Sequence, residues 1–362
     1  MPISAGGVTY SWNDFTDNKN NDDFTTLETL EDDMCDMSPV REFRSQFEPP
    51  LYWLIVMLGA IGNLLVVWIY LYFHNRLKTM TDIYLLNLAI ADLLFLGTLP
   101  FWATDAVHGW TYGTPACKLV SAIYKINFFS SMLLLTCISV DRYGAIVKAT
   151  KFKNSKRERL LQSKLVCMGV WLLAAALSLP EFIFAKAKES HEGNTYCVMV
   201  FWFNQDNHIK ILVLSIQICM GFCLPLLVMI FCYTVIIHTL LQSKNFAKHK
   251  ALRVILAVVA VFVLSQMPFN SVLVFEVTQA ANTTITDCDE VKRFSIIGQV
   301  LKSLAYSHSC LNPILYVFIG VRFRDDLFKA LQSCGCCRWY GQHTITKRSS
   351  TSETETTPAL SL

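Results

Sequence analysis

Residues 51–73 read LYWLIVMLGAIGNLLVVWIYLYF and contain no aspartate, glutamate, lysine or arginine. An apolar run of about 20 residues is long enough to cross the hydrocarbon core of a bilayer as an α-helix. Residues 211–237 and 254–275 are equally free of charge. Four more runs carry a single charged residue each: 83–104, 119–140, 165–183 and 294–319. Because backbone groups in lipid must be satisfied within the segment, these runs predict seven transmembrane helices.

The amino-acid composition also indicates a membrane protein. Hydrophobic residues make up 53% of the 362 residues, and charged residues make up only 16%. A soluble domain would carry roughly a quarter charged residues. The sequence does not show the alternating strands of roughly ten residues that a transmembrane β-barrel needs. We therefore predict an all-α membrane protein, a seven-transmembrane helix bundle with a short amphipathic eighth helix.

The segments between the predicted spans differ in charge, and the difference predicts their orientation. Lysine and arginine outnumber the acidic residues in 74–80, 141–160, 241–253 and 319–362. Acidic residues outnumber the basic ones in 1–48, 103–116, 181–210 and 276–293. An excess of lysine and arginine marks the cytoplasmic side. We expect a multi-pass plasma-membrane protein with an extracellular N-terminus and a cytoplasmic C-terminus. The first residues contain no apolar signal-peptide core, so the first span is expected to direct insertion.

This topology divides the chain into four predicted parts. An acidic extracellular tail covers 1–48, and the transmembrane bundle covers 49–319. The amphipathic eighth helix covers 320–333, and a cytoplasmic tail rich in serine and threonine covers 334–362. The acidic tail favours a basic partner by long-range attraction. The alternative is an acidic tail that only keeps the ectodomain soluble.

Four cysteines lie at or beyond the extracellular boundary: Cys35, Cys117, Cys197 and Cys288. An even number of cysteines in an oxidising compartment predicts two disulfides, and three pairings are open. We prefer Cys117–Cys197 together with Cys35–Cys288. The first would hold the second outer loop against the third span, and the second would tie the tail to the seventh span.

Two kinds of covalent modification are also predicted. Cys334, Cys336 and Cys337 follow a short amphipathic segment beside the inner leaflet, where palmitoylation usually occurs. Asn282 begins an Asn-Thr-Thr sequence on the extracellular side, which is a glycosylation acceptor. Cysteine and histidine residues do not show zinc-ligand spacing, so no metal site is predicted beyond sodium.

Asp92 is an ionisable residue in the middle of the second predicted span. Such residues are costly in a membrane and are functional candidates by default. Other spans supply polar side chains that can join Asp92 in one buried network: Asn63, Asn127, Ser131, His308, Ser309 and Asn312. One interpretation is a cavity that holds water and an allosteric sodium ion and collapses on activation. The other is a fixed, hydrogen-bonded core.

Asp141-Arg142-Tyr143 ends the third predicted span on the cytoplasmic side. An acidic residue beside the arginine could hold it in an inactive state and release it to a partner that enters from the cytoplasm. Taken alone, the tripeptide is more often an anchor at the membrane interface.

Asn312-Pro313 begins a motif that ends with Tyr316 in the seventh predicted span. A proline within a helix removes one backbone hydrogen bond and introduces a kink. Further prolines interrupt four other spans: Pro100, Pro180, Pro225 and Pro268. Prolines in five spans indicate a bundle that changes shape.

These motifs, in this order on seven spans, resemble the rhodopsin-like G-protein-coupled receptors over residues 35–335. The resemblance includes Gly62-Asn63, Leu88-Ala89-Ile90-Ala91-Asp92, Cys117, Trp171, Pro225, Tyr233 and Pro268, beside the motifs of the third and seventh spans. The chain also resembles the chemokine-receptor subfamily. The matching residues are Thr98-Leu99-Pro100-Phe101-Trp102, Ser139-Val140-Asp141-Arg142-Tyr143, His308-Ser309-Cys310-Leu311-Asn312-Pro313 and the Cys35/Cys288 pair.

The resemblance implies a receptor rather than an enzyme, and it implies partners on both sides of the membrane. Outside, a basic C-C chemokine would bind the acidic tail and insert its N-terminus into the bundle. We expect that insertion near Tyr52, Trp102, Tyr124, Lys125, Gln266 and Lys302. Inside, Arg142, Tyr233 and Tyr316 would contact an inhibitory-class G protein, with Asp141, Tyr143, Asn312 and Pro313 taking part in activation. Arrestin and receptor kinases are expected partners, and nucleic acid is not.

Three positions depart from the family pattern. Gln266 stands where most of the wider family has a tryptophan, and Lys302 stands where many C-C receptors have a glutamate. The lysine inverts the local charge and puts a glutamate-to-amine contact with the ligand in doubt. Gly144 replaces a bulky aliphatic residue after Tyr143, and a glycine weakens a helix by about 1 kcal/mol. The second inner loop is therefore expected to be looser.

Other classes of protein fit the sequence less well. A transporter would usually show repeated halves with paired broken helices, and an intramembrane enzyme would need a nucleophile and base at the same depth. The nearer alternative is an atypical receptor that scavenges chemokine through arrestin without coupling to a G protein. The intact Asp141-Arg142-Tyr143 motif argues against that alternative.

Overall fold

A computed structural model describes residues 35–72, 79–147, 156–189, 193–201, 208–242, 246–282, 287–319 and Leu327. The rest of the predicted eighth helix, the sequence predicted for palmitoylation (Cys334, Cys336 and Cys337) and the first 34 residues lie outside this part of the chain. The predictions made for them stay predictions.

Helices dominate the described residues. They are α1 (Ser38–Tyr72), α2 (Met80–Leu96), α3 (Leu99–His108), α4 (Gly113–Ile146), α5 (Lys156–Leu177), α6 (Leu179–Phe184), α7 (His208–Ile218), α8 (Leu224–Leu241), α9 (Phe246–Ala281), α10 (Cys288–Tyr306) and α11 (His308–Ile319). Within the described ranges they form seven helical spans: α1, α2/α3, α4, α5/α6, α7/α8, α9 and α10/α11. The first five of these spans are long and apolar enough to cross a membrane by length and composition alone. The architecture is the predicted helical membrane bundle.

Four spans are interrupted, and the interruptions relate to prolines. Pro100 and Pro180 lie in the first turns of α3 and α6, where the missing N–H of proline costs no hydrogen bond. A π-helical turn, Cys219–Cys223, precedes Pro225 of α8. The seventh span breaks at Ser307, one and a half turns before Pro313. By contrast, Pro268 lies inside α9, which continues through it.

The first helix begins at Ser38, inside the segment that the sequence assigns to the acidic tail. Asp36 precedes it and accepts hydrogen bonds from the backbone N–H of Ser38 at 2.9 Å and from its hydroxyl at 2.8 Å. These two hydrogen bonds lower the pKa of the Asp36 carboxyl, which is fully exposed, below its usual value. The helix has 35 residues, more than the roughly 20 that cross a hydrocarbon core, and its first turns reach α3, where Arg44 contacts Asp105.

Both preferred disulfides are present, and one of them holds a hairpin over the bundle. Strands β1 (Ala185–Glu189) and β2 (Thr195–Met199) pair antiparallel, with Ala187 opposite Cys197. Cys197 is bonded to Cys117 at the start of α4, and Cys35 is bonded to Cys288 at the start of α10. The sequence analysis did not predict the hairpin, which covers the N-terminal end of α4 in the third span.

One glycine allows the hairpin to approach the first outer loop closely. The backbone of Gly109 has φ 73°, and a Cβ at this position would lie 2.7 Å from the carbonyl oxygen of Thr195. The next residue, Trp110, donates its backbone N–H to that same oxygen at 2.6 Å. The left-handed conformation and the close contact both require glycine.

The interior contains two large apolar clusters, and the exterior is apolar as well. The inner cluster includes Leu88, Phe129, Met132 and Tyr233 from the second, third and fifth spans. The outer cluster lies under the hairpin and contains Tyr52, Phe95, Trp102, Trp110, Cys117 and Tyr306. Leucines such as Leu172 and Leu227 are exposed, at 67% and 64%. Extended apolar exposure around a helical bundle is the surface expected of a protein that faces lipid.

Candidate ligand pocket and activation network

Lys125 crosses the outer half of the bundle from α4. Its Nζ lies 3.3 Å from Oε1 of Glu181 on α6, and it also donates to Oε1 of Gln217 on α7. All three side chains are buried. The sequence predicted Lys125 as a ligand contact, but its two partners were missed because they lie on other spans. This cluster joins the third, fourth and fifth spans in the half of the bundle that carries the hairpin.

Tyr306 forms the centre of an aromatic group between the first, second, third and seventh spans. Its ring centroid lies 5.7 Å from that of Tyr52, 5.1 Å from that of Phe95 and 5.3 Å from that of Tyr124. Lys302, one turn earlier on α10, places Nζ 5.6 Å from the centroid of the Tyr306 ring, within cation–π range. The structure therefore brings together Tyr52, Tyr124 and Lys302 as predicted, around a tyrosine that the sequence analysis did not select.

Trp102 belongs to the same outer cluster, beneath the hairpin. Its ring centroid is 5.5 Å from that of Trp110, whose indole N–H donates to the carbonyl of Gly113 at 2.8 Å. The indole N–H of Trp102 is buried and has no hydrogen-bond partner among the described residues.

Gln266 connects the sixth span to the break in the seventh. Its Nε2 donates to the carbonyl of Ala305 at 3.1 Å and lies 3.2 Å from Nδ1 of His308. The side chain is 2% exposed. A glutamine at this position therefore makes specific hydrogen bonds across the bundle, which a tryptophan could not make in the same way.

An ionic triad that the sequence analysis missed connects the first and second spans, one turn before Tyr52. Arg44 donates from Nε to Glu48 at 2.9 Å and from Nη2 to Asp105 at 2.6 Å. The three side chains are at most 7% exposed. Arg44 and Glu48 lay in the segment assigned to the solvated tail, so their burial could not be anticipated from charge alone. The triad joins α1 to α3.

Asp92 is completely buried and connects the second, third and seventh spans, as predicted. It accepts from Nδ2 of Asn127 at 3.3 Å and from Nδ2 of Asn312 at 2.9 Å. Asn127 also donates to Ser131 Oγ at 3.4 Å, and Nε2 of His308 lies 3.9 Å from Asp92. Carboxylate and hydroxyl oxygens are ligands that hard cations prefer. Asp92 and Ser131 therefore fit a sodium ion.

Asn63 and Ser309 adjoin this network through the backbone. Asn63 donates to the carbonyls of Gly59 at 3.0 Å and Ser309 at 2.8 Å. The hydroxyl of Ser309 donates to the carbonyl of Tyr306 at 2.9 Å. These two predicted members thus stabilise the broken seventh span rather than donate directly to Asp92.

At the end of the bundle that the sequence predicts to be cytoplasmic, Thr81 connects the acidic residue and the arginine of the third-span motif. Its hydroxyl donates to Asp141 Oδ2 at 2.9 Å and accepts a hydrogen bond from Nη2 of Arg142. Arg142 is thereby held against the second span. The neighbouring Tyr143 lies within ring contact of Phe231 on α8, 5.9 Å between centroids.

The remaining predicted positions are accounted for as follows. Tyr233 exchanges a hydrogen bond of 2.7 Å with Ser139 of α4. Pro313 lies inside α11, whereas the side chain of Tyr316 lies outside the described residues. Asn282 is exposed just beyond α9, a location compatible with glycosylation.

Known proteins provide an independent comparison. Residues 62–316 match the sequence model of the family described as 7 transmembrane receptor (rhodopsin family). C-C chemokine receptor type 9 from Homo sapiens is 50% identical over 302 residues, which cover 83% of this chain and 81% of that protein. The chain belongs to the chemokine receptors of the rhodopsin family.

Two further relatives agree with this membership. C-C chemokine receptor type 9 from Ovis aries is 50% identical over 307 residues, covering 85% of this chain and 83% of that protein. C-C chemokine receptor type 7 from Homo sapiens is 45% identical over 355 residues, covering 96% and 92%. The chain is a receptor and not an enzyme.

Sequence motifs also predicted the likeness to the type 9 receptor. They are Pro49-Pro50-Leu51-Tyr52-Trp53-Leu54, Lys78-Thr79-Met80-Thr81-Asp82, Ser243-Lys244, Lys248-His249-Lys250-Ala251-Leu252, Val263-Leu264-Ser265-Gln266 and the terminal Ala359-Leu360-Ser361-Leu362. The identities of the relatives confirm this likeness. Gln266, unusual for the wider family, belongs to one of these motifs.

Proposed function

We propose that this chain is a plasma-membrane receptor for a basic C-C chemokine, with thymus-expressed chemokine as the expected agonist, and that it couples to an inhibitory-class G protein. The observation that carries the proposal is the 50% identity to C-C chemokine receptor type 9 over 302 residues. Calcium signalling and leukocyte chemotaxis would follow from activation.

Ligand capture would take place in two steps. The acidic tail first attracts the basic core of the chemokine, through carboxylates such as those of Glu31, Asp32 and Asp33. The N-terminal segment of the chemokine then enters the pocket between Tyr52, Trp102, Tyr124, Lys125, Gln266 and Lys302. Because screening weakens exposed charge interactions, raising ionic strength should weaken the first step.

Activation would shift an existing equilibrium toward an open cytoplasmic face. In that state Arg142 leaves Thr81 and contacts the C-terminal helix of the G protein, beside Tyr233 and Tyr316. The hydrogen bond from Arg142 to Thr81 of the second span supports this role, since activation would have to break it. A sodium ion at Asp92 would stabilise the inactive arrangement.

Desensitisation would follow phosphorylation of the cytoplasmic tail by receptor kinases. The tail offers Ser349, Ser350, Thr351, Ser352, Thr354, Thr356 and Thr357. Phosphate groups add negative charge and hydrogen-bond acceptors, which would recruit arrestin.

The decisive experiment screens the expressed receptor against a chemokine panel and measures the fall in cyclic AMP and the recruitment of arrestin in parallel. We expect thymus-expressed chemokine to produce both responses. In Arg142→Ala the cyclic AMP response should disappear while chemokine binding is retained. Arrestin recruitment without any G-protein response in the native receptor would instead identify the atypical scavenging receptor. Binding by none of the chemokines would overturn the proposal.

A further inference from the structure

Three lysine side chains enter the outer half of the bundle from three different spans. Lys125 lies on α4, Lys210 on α7 and Lys302 on α10, and they are only 4%, 6% and 8% exposed. Removing an ammonium group from water is expensive unless another charge or hydrogen bond compensates for it. Each buried lysine therefore needs a partner.

The three lysines differ in the partners that they have. Lys125 is paired with Glu181 at 3.3 Å, and Lys302 lies over the ring of Tyr306. Nζ of Lys210, by contrast, has no hydrogen-bond partner among the described residues. Lys210 is therefore the ammonium group whose burial is least compensated.

One carboxylate, Glu276 of α9, lies within electrostatic range of all three lysines. In the described part of the chain, Glu276 forms no direct ion pair with any of them. The other nearby carboxylates are already engaged: Glu181 is paired with Lys125, and Glu48 and Asp105 are both bound by Arg44. Among the described residues, Glu276 is therefore the carboxylate that remains for both Lys210 and Lys302.

Gln217, the neutral polar residue that contacts Lys125, also presents a hydrogen-bond donor. Oε1 of Gln217 accepts from Lys125, so its amide nitrogen is the group left over. That nitrogen is buried and has no partner within the described ranges, and the Gln217 side chain is 3% exposed. Both uncompensated groups on α7, Lys210 Nζ and Gln217 Nε2, are hydrogen-bond donors. They complement an acceptor that carries negative charge.

We propose that Lys210, assisted by Gln217, binds a side-chain carboxylate of the chemokine segment that enters the pocket. Because it takes a chemokine as the ligand, this assignment rests on the proposed function. A carboxylate would give Lys210 the charge-assisted hydrogen bond that it lacks. An amine at the same position would instead meet the ammonium group of Lys210. Ligand selection by this receptor therefore depends on an acidic residue in the N-terminal segment of the chemokine.

The test combines a receptor variant with a modified ligand. Lys210→Met removes the ammonium group and keeps most of the side-chain volume. In the modified thymus-expressed chemokine, carboxamides replace every side-chain carboxylate that precedes the first cysteine. Lys292→Met is the matched receptor control, because Lys292 lies near the outer end of α10, 3.9 Å from Asp289. The readouts are surface expression, potency in lowering cyclic AMP, and affinity for a chemokine that lacks all residues preceding its first cysteine.

We expect Lys210→Met to reduce the potency of the native chemokine by at least about 30-fold, since loss of one partner from a buried charge pair is costly. The carboxamide chemokine should lose a similar factor on the native receptor and no further factor on Lys210→Met. Lys292→Met should change potency by less than about two-fold. Affinity for the truncated chemokine should be unchanged in Lys210→Met.

Several results would overturn the assignment. Full potency of the carboxamide chemokine on the native receptor would do so even if Lys210→Met failed to reach the cell surface. If the potency losses from Lys210→Met and from the carboxamide chemokine multiplied when the two were combined, a direct contact between them would be contradicted. A potent agonist whose N-terminal segment contains no carboxylate would also contradict it. These outcomes leave the proposed function intact, because the native chemokine still activates the receptor. A receptor that binds no chemokine overturns both proposals.

Discussion

Arg44 donates a hydrogen bond of 2.6 Å to Asp105 and so joins the first helix to the extracellular end of the second span. Glu48, one turn after Arg44, accepts a second hydrogen bond from the same guanidinium at 2.9 Å. Two buried carboxylates therefore share one buried cation. Lys302 lies within electrostatic range of both carboxylates, which makes the triad the border between the first span and the proposed ligand pocket.

Replacing Arg44 with methionine should destabilise the receptor. The variant leaves Glu48 and Asp105 buried without their cation, and breaking a buried ion pair in this way costs about 3–5 kcal/mol. Thermal unfolding of the receptor in lipid nanodiscs would measure the loss. Arg293→Met is the control, since Arg293 is exposed on α10. Combining Arg44→Met with Glu48→Gln and Asp105→Asn should recover part of the stability. Equal unfolding temperatures for Arg44→Met and the native receptor would contradict the role assigned to the triad.

The hydroxyl of Thr81 should restrain the receptor in its inactive state. Thr81→Val keeps the shape of the side chain but removes the group that accepts from Arg142 and donates to Asp141. Release of Arg142 should raise agonist-independent signalling several-fold, measured as basal G-protein activation in membranes.

Thr136→Val provides the matched control for this prediction. Thr136 lies on α4, the helix that also carries Arg142. Its hydroxyl donates to the carbonyl of Met132 one turn earlier at 2.8 Å. It should leave basal activity unchanged. Basal activity of Thr81→Val at or below the native level would show that the threonine does not restrain Arg142.

Much of the interior could be predicted because lipid penalises isolated polar groups. Asp92 had to find partners at its own depth, and Asn127 and Asn312 were the amides available there. Their contacts with Asp92 agree with that expectation. Lys125 was recognised for the same reason, as the single charge in its span.

Other features could not be predicted because they depend on where the membrane boundary lies or on contacts between distant segments. The acidic and basic residues of 38–48 are typical of a solvated tail, yet the helix that contains them packs Arg44 against Asp105. The hairpin of the second outer loop is built from two short strands. The sequence of the first, AKAKE in 185–189, is too polar to predict a strand from its hydrophobic pattern. Tyr306 was overlooked because its importance comes from three aromatic neighbours on other spans.

Gly62 should be intolerant of even a methyl group. A Cβ at this position would lie 2.8 Å from Cβ and 2.9 Å from Cγ of Pro313, and the proline ring has little freedom to move. Gly62→Ala should therefore cost about 1–3 kcal/mol through overpacking between the first and seventh spans. A lower unfolding temperature and reduced surface expression are the expected results.

Gly169 of α5 is the matched control, since a Cβ there would meet no atom within 4 Å. Gly169→Ala should raise stability by about 0.5–1 kcal/mol, because alanine is the better helix former. If the two alanine variants had the same unfolding temperature, the contact between Gly62 and Pro313 would not limit the packing of these spans.

Sodium should reduce the affinity of the receptor for agonist if Asp92 and Ser131 hold the ion. Replacing choline chloride with sodium chloride at constant ionic strength leaves general screening unchanged, so any effect reports a specific site. We expect agonist affinity in isolated membranes to fall several-fold in sodium, because an ion that binds the inactive state shifts the equilibrium away from the active one. Asp92→Asn removes the carboxylate and should abolish the difference between the two salts. Asn127 and Asn312 already surround this side chain, so an amide of equal size can remain in the network. A sodium effect that persists in Asp92→Asn would locate the ion elsewhere, and equal affinities of the native receptor in the two salts would rule out sodium as its allosteric ligand.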